Sequence, residues 1–305
     1  VAKRSMTVAA SFGLASALCV VVLGDESGYT ATENQKMKVA AIEAMWETEP
    51  APASFTLVGF PDLKNHKTEF AIRIPWVLGL ITTRSIDKEV PGIEDLLKLA
   101  ETRIRSGMLA YDALDRLRQD RGNAALRADF EKRAGDLGYA LLLKKERPDV
   151  QHATDDEIHR AALSTIPNVP VLFWSFRIMV GLGFSFIALF GLSFYLAAKR
   201  RLDRYPLYLR VAMIALPLPW IAAELGWIVS EYGRQPWAIE GVLPTFLGVS
   251  GTSAGNVWFS LGGFVLFYSA LAVADVYLMV KYIRLGPDGT LGYPPASPRA
   301  RSVVE

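Results

Sequence analysis

Two side chains in this 305-residue chain stand in apolar surroundings with ligand chemistry to offer: Met179, within VLFWSFRIMVGLGFSFIALFGLSFYLAA, and Glu231, within ELGWIVSEYGRQPW. A thioether is a soft donor that suits a reduced metal centre, and a carboxylate is a hard one. The plain alternatives are core packing for Met179 and an exposed helix end for Glu231. Trp227 stands four residues before Glu231 and Glu224 seven before, which puts the three on one helical face. Glu224 is an ionisable group inside an apolar run, a functional candidate by default. Proton delivery and a hydrogen bond to a neighbouring helix are both open to it. Arg177 and Arg234 carry planar forks that match carboxylates, although Arg177 could instead extend its charged head to a membrane interface. Lys38 and Glu43 are five residues apart, about 140° around a helix, so they do not pair within one. His66, His152 and His159 fall in the charged middle of the chain, and none lies in an apolar run.

These residues need elements to hold them, and the apolar runs supply four. Hydrophobic residues make up 51% of the chain, and the charged ones crowd between about 25 and 165, a segregation that argues for a membrane protein over a large globular core. Spans are expected at about Ser5–Leu23, Val171–Ala198, Tyr205–Ser230 and Val257–Val280, the third interrupted at Pro217–Trp220 and the fourth carrying Asp275. Lys3 and Arg4, then Lys199, Arg200, Arg201 and Arg204, then Lys281 and Arg284 fall on one side if each segment crosses once. The positive-inside rule makes that side cytoplasmic and leaves residues 25–168 and the loop 231–256 outside. A formal charge of +2 gives no reason to invoke nucleic acid. The lone Cys19 excludes an intrachain disulfide and reads as a small hydrophobe in a helix.

The outer segment reads as mainly helical. KMKVAAIEAMWE, residues 36–47, places Val39, Ile42 and Trp46 on one face. Ile74–Ile81 is apolar but too short to span. An amphipathic helix is expected from Ile93 to about Arg121, ended by Gly122, and a second one bearing Leu126, Phe130, Leu137 and Leu141. The fold class is thus an all-α integral membrane protein with four transmembrane helices and a large, mainly helical extracytoplasmic loop domain. Its parts are a first span (1–24), the outer domain (25–168), a three-helix membrane region (169–285) and a cytoplasmic polar tail (286–305).

GRQPW at the end of PLPWIAAELGWIVSEY resembles the signature of subunit I of bacterial cytochrome bd quinol oxidases. FRIMVGLG (176–183), GDESGY (24–29) and KVAAIEAMWETEPAPASFTLVGFPD (38–62) are similar to the same family in the same order, and the stretch from about 65 to 168 is similar to its long-loop variant. The resemblance implies a terminal oxidase that oxidises quinol at the outer face and reduces oxygen to water through a low-spin haem b, a high-spin haem b and a haem d. It implies Met179 as an axial ligand of the low-spin haem iron and Glu231 as a ligand of the high-spin one, with Trp227 between haems. Arg177 and Arg234 are then candidate partners of haem propionates, and Glu224 a candidate proton carrier. It further implies that Lys38 and Glu43 belong to the quinol-oxidising loop, the lysine donating to a head-group oxygen and the carboxylate taking its proton. Asp25 is a weaker candidate for that pocket.

The family draws its histidine ligands from an N-terminal half that this chain lacks, so the chain is expected to be part of a longer subunit and inactive alone. The partners implied are that half, subunit II, a one-helix accessory subunit, quinol, oxygen and the lipid of a bacterial cytoplasmic membrane. The rival reading is a non-redox transporter or channel subunit with an outer regulatory domain, whose polar path Glu224, Arg210 and Asp275 would line. A relative that hands its electrons to an acceptor other than oxygen is a third.

Overall fold

Apolar stretches longer than a bilayer is thick dominate the architecture. The computed structural model describes residues 2–285, so the tail read at 286–305 lies outside the described residues. Among the described residues, four helical segments are long and apolar enough to cross a membrane. The first is α1 (Ala2–Asn34), the second α8 (Val169–Ala198) and the fourth α11 (Ala254–Leu285). The third, Pro206–Tyr232, is broken: α9 (Pro206–Ile214) stops before Pro217, α10 (Leu218–Trp227) restarts after it, and a π-helical turn closes the segment over Ile228–Tyr232. The interruption expected at PLPW is therefore present, and its cause is the missing amide and ring clash of proline. The π turn is a feature that composition does not announce, since one residue more per turn leaves no trace there.

The first span runs further than its apolar core, because α1 continues as a helix through GDESGY to Asn34. Arg84 holds that polar extension, donating to Asp25 at 2.5 Å and to Glu26 at 3.3 Å. At the other end of α1, Lys3 pairs with Asp203 at 2.5 Å. Tyr208 of α9 donates to the Leu189 carbonyl of α8 at 2.7 Å. The segment after residue 249, with α11, forms a compact unit of its own.

The segment between the first two spans holds two cores. One gathers α2 (Lys36–Ile42) and the turn after it, Leu78 of α3 (Val77–Thr83), Val90, the start of α4 (Ile93–Gln119) and Val169, Leu172 and Phe173 of α8. Val39, Ile42 and Trp46 are all buried, as their spacing requires, Ile42 and Trp46 in this core, although the helix itself ends at Ile42. The α4 amides of Ile93 and Glu94 donate to the carbonyls of Met45 and Trp46 at 2.9 and 3.0 Å, which docks one helix start onto the other's exit. The second core joins α4 to α6 (Leu137–Leu141), α7 (Asp155–Leu163) and Trp237. The helix expected to carry Leu126, Phe130, Leu137 and Leu141 is in fact two, α5 (Ala124–Arg133) and α6, parted by a 3-10 turn. A Thr154–Glu157 capping box starts α7, and Asn168 caps α8.

The described residues are mainly helical, as expected, with two small antiparallel hairpins among them that the apolar spacing did not announce. β1 (Phe55–Asp62) pairs with β2 (Lys67–Ile74), and β3 (Trp237–Ile239) with β4 (Leu243–Pro244). The stretch Ile74–Ile81 is correspondingly a strand end followed by the short α3.

Candidate functional site

The residues of GRQPW each hold a structural position, and together they build a polar turn over the end of the third span. Gly233 is buried where a Cβ would stand 2.4 Å from the Val229 carbonyl oxygen, so only glycine fits. Arg234 reaches back to ion-pair with Glu231, which is 39% exposed. Gln235 accepts from Thr245 Oγ1 at 2.8 Å, and the Pro236 carbonyl accepts from the Thr245 amide at 2.8 Å. Trp237 is 2% exposed and meets Tyr139 at 5.0 Å between ring centroids, which pins the turn to α6. The hairpin that follows turns at Glu240-Gly241, where Gly241 takes φ 66°. Among the described residues, Arg234 Nε is a buried donor without a partner.

Lys38 comes to this turn from α2. Its stem lies against Gly233, whose Cβ, if present, would stand 3.2 Å from Lys38 Cδ. Burial lowers the ammonium pKa, and Glu240, Arg234 and Glu231 are the charges that act on it. Glu240 is itself pushed up to about 7 by burial, against the pull of Lys38 and Arg103. The residues proposed from sequence for two different sites, Lys38 and the Glu231–Arg234 pair, are therefore neighbours.

Glu43 lies elsewhere, with side-chain exposure of 5%, and pairs at 3.0 Å with Arg177, whose side chain is 7% exposed. The guanidinium also donates from Nε to the Thr56 carbonyl at 2.9 Å and from Nη1 to the carbonyls of Ile42 at 2.7 Å and Phe173 at 3.1 Å. A further Nη2 bond reaches the Thr56 carbonyl. All five guanidinium hydrogens thus have partners within the chain, which leaves none for a propionate and none for a membrane interface. Burial pushes the Glu43 carboxyl up to about 7 even though Arg177 draws it down. The expectation that Lys38 and Glu43 do not pair holds: they face different partners.

Met179, two residues beyond Arg177 on α8, points its sulfur at α10, where a Cβ on Gly226 would stand 3.2 Å from Sδ. Trp227 and Glu224 both lie on α10, and Trp227 is 60% exposed. Asp25 is bound by Arg84. His66 stacks on Trp46 at 4.8 Å, His152 meets Asp149 and His159 meets Glu101, all in the segment between the first two spans. Sequence reasoning missed Glu240. Its only local signal was an acidic residue beside a glycine just beyond GRQPW.

A family profile, Cytochrome bd terminal oxidase subunit I, matches residues 1–287. The chain belongs to that family. Subunit 1 of cytochrome bd-II ubiquinol oxidase from Escherichia coli is 39% identical over 288 residues, covering 94% of this chain and 56% of that protein. Subunit 1 of cytochrome bd ubiquinol oxidase from Bacillus subtilis is 29% identical, covering 94% and 49%. The bd oxidase structure from Geobacillus thermodenitrificans shares the fold at a TM-score of 0.53 and 22% identity, over 93% of this chain and 49% of that one. The chain thus spans about half the length of the curated cytochrome bd subunits it matches. Nothing in these matches favours a transporter or channel.

Proposed function

We propose that this chain supplies the outer, quinol-oxidising segment and part of the haem-holding membrane core of a cytochrome bd quinol oxidase, a respiratory enzyme that reduces oxygen to water. The observation that carries the reading is the turn at the end of the third span. There a half-exposed carboxylate, Glu231, stands beside a guanidinium with an orphaned buried donor, Arg234, and both lie next to Lys38. A carboxylate open to an incoming ligand and an unmet donor suited to a propionate fit a haem bound from outside the chain. Met179 fits as a soft ligand because it is a thioether in an apolar span, its sulfur lying against Gly226 of α10. We assign Met179 to a low-spin haem b and Glu231 to a high-spin haem b, with haem d held by the remainder of the subunit.

Haem, when bound, supplies one-electron carriage between a two-electron donor and oxygen. The residues of this chain do the positioning. Lys38 donates a hydrogen bond to the quinol head group from the outer side. The Glu43–Arg177 pair braces α2, β1 and α8 against one another and so fixes Lys38 relative to Met179. Trp227 and Glu224 both lie exposed on α10, where Trp227 would border bound haem and Glu224 would carry protons. Asp25 holds Arg84 at the top of α1 and is the weaker contributor to the quinol pocket. Residues 25–168 face the outside of a bacterial cytoplasmic membrane. The partners are the rest of subunit I, subunit II and a one-helix accessory subunit.

The test is spectroscopic. In the oxidase assembled in its membrane, Met179→Leu keeps the side-chain volume and removes the ligand, so the low-spin haem signal should be lost or converted. Glu231→Ala should lower the high-spin haem content with the low-spin signal comparatively spared. An unchanged reduced spectrum in Met179→Leu would assign that residue to packing alone.

A further inference from the structure

Glu240 is the one titratable group near Lys38 that sequence reasoning did not reach, and it stands where two features meet. On one side it acts electrostatically on Lys38. On the other it lines a cleft of about 220 Å³ walled by Leu96, Ala100 and Arg103 of α4 and Tyr139 of α6, and bordered by the end of α1 and the start of α2. The cleft opens to solvent at Glu33 and Asn34, both exposed, with Lys36 beside them. Among the described residues, Glu240 makes no side-chain hydrogen bond, although it is only partly exposed. Its place is tightly set. Gly241 turns the backbone at φ 66°, and Gly138 of α6 approaches so closely that a Cβ there would stand 2.1 Å from the Gly241 carbonyl oxygen.

We propose that Glu240 is the proton-release group of the quinol site, taking protons from the head group held beside Lys38 and passing them to outer water through this cleft. The proposal rests on the quinol-oxidising reading above. Quinol oxidation breaks two O–H bonds and yields quinone, two electrons and two protons. The electrons go to oxidised haem iron, the acceptor that reading requires. Each proton goes to the Glu240 carboxylate, making the neutral acid, and then to water at the cleft mouth, so that the carboxyl cycles twice per quinol. A carboxyl whose pKa is raised to about 7 can do both, accepting a proton and losing it again near neutral pH. The groups facing it are Lys38 from α2, Arg103 from α4 and Tyr139 from α6, with Glu33 and Lys36 at the mouth. Arg103 is bound in turn by Asp136 at 2.6 Å. The walls on the α4 and α6 side belong to the long insertion, which therefore shapes the exit.

The test uses the assembled oxidase and a soluble quinol analogue, comparing Glu240→Gln, Glu240→Asp and Lys38→Met. Glu240→Gln keeps the shape and cannot exchange protons. Its kcat for quinol oxidation should fall by at least about tenfold with little change in KM. The rise of kcat with pH through about 7, which marks deprotonation of the acceptor, should vanish in that variant. Glu240→Asp should restore most of the turnover. Haem spectra, and oxygen reduction driven by an artificial electron donor, should match the wild type throughout, which also shows that the variants are folded. Wild-type kcat and pH profile in Glu240→Gln, together with impaired quinol oxidation in Lys38→Met, would overturn the assignment of Glu240 and leave the quinol site standing. Wild-type quinol oxidation in both variants would remove the quinol site beside Lys38, and Glu240 with it.

Discussion

Arg177 shows how far a residue's role can lie from its local sequence. Inside an apolar span, a guanidinium suggests a cofactor carboxylate or an interface. Its actual partners, Glu43 and the carbonyls of Ile42, Thr56 and Phe173, include groups 121 to 135 residues away, which no periodicity could bring together. Glu43 is thereby a brace, and its burial has a consequence for stability. A carboxyl whose folded pKa exceeds its unfolded value favours the folded state while protonated. The contribution is whole below about 4.5 and lost as pH rises through about 7. That difference corresponds to at most about 3–4 kcal/mol at 1.36 kcal/mol per unit. Thermal unfolding followed through the haem signal should therefore show wild-type stability declining across this window, and the decline should be absent in Glu43→Gln. Glu43→Ala should be the more damaging change, by about 3–5 kcal/mol, because it leaves the buried guanidinium unpaired. Equal stability in the two variants, with quinol turnover abolished in both, would instead make Glu43 a direct head-group ligand.

At the scale of elements, legibility followed the range of the interactions. The spans, the basic flanks and α4 were readable because their patterns repeat within a few residues. The hairpins and the split between α5 and α6 were not, since they depend on partners distant in sequence. GRQPW was recognisable as a motif, but its reason is tertiary: Trp237 and Gly241 fit onto α6, and the helical insertion thereby sets the turn that carries Glu240. Two glycines three residues apart separate this fit from simple helix propensity. Gly138 meets the Gly241 carbonyl, whereas nothing lies within 4 Å of a Cβ on Gly135. Gly135→Ala should be neutral or stabilising by a few tenths of a kcal/mol. Gly138→Ala must displace the turn, and an overpacking cost of about 1–3 kcal/mol is expected together with slowed quinol oxidation. Quinol turnover and the melting of the haem signal, measured side by side in both variants, check the difference. Equal behaviour would mean that α6 does not position the turn.

For the whole molecule, the question is which way the chain sits in the bilayer. The charge rule needs Lys3 and Arg4 on the same side as Lys199–Arg204, and the Lys3–Asp203 pair brings those two ends of the chain's helices into contact. The opposite ends of α1 and α8 both lead into the segment that carries the two cores, so that segment falls on the other side if each of these helices crosses once. A lipid-soluble quinol that reaches Lys38 at the membrane surface then releases its protons to that same side, and the proposed function requires that side to be the outside. Site-directed labelling decides the matter. Cys19 is the one thiol of these 305 residues, and Cys19→Ser removes it, with the same background without an added cysteine as the control. Arg121, exposed after α4, and Arg201, exposed between α8 and α9, then mark the two sides. A membrane-impermeant maleimide added to intact spheroplasts should modify an Arg121→Cys variant and leave an Arg201→Cys variant untouched. Permeabilising the membrane should expose the latter. The reverse pattern would place the quinol segment on the cytoplasmic side, where protons released through the cleft at Glu240 would enter the cell instead of contributing to a gradient across the membrane.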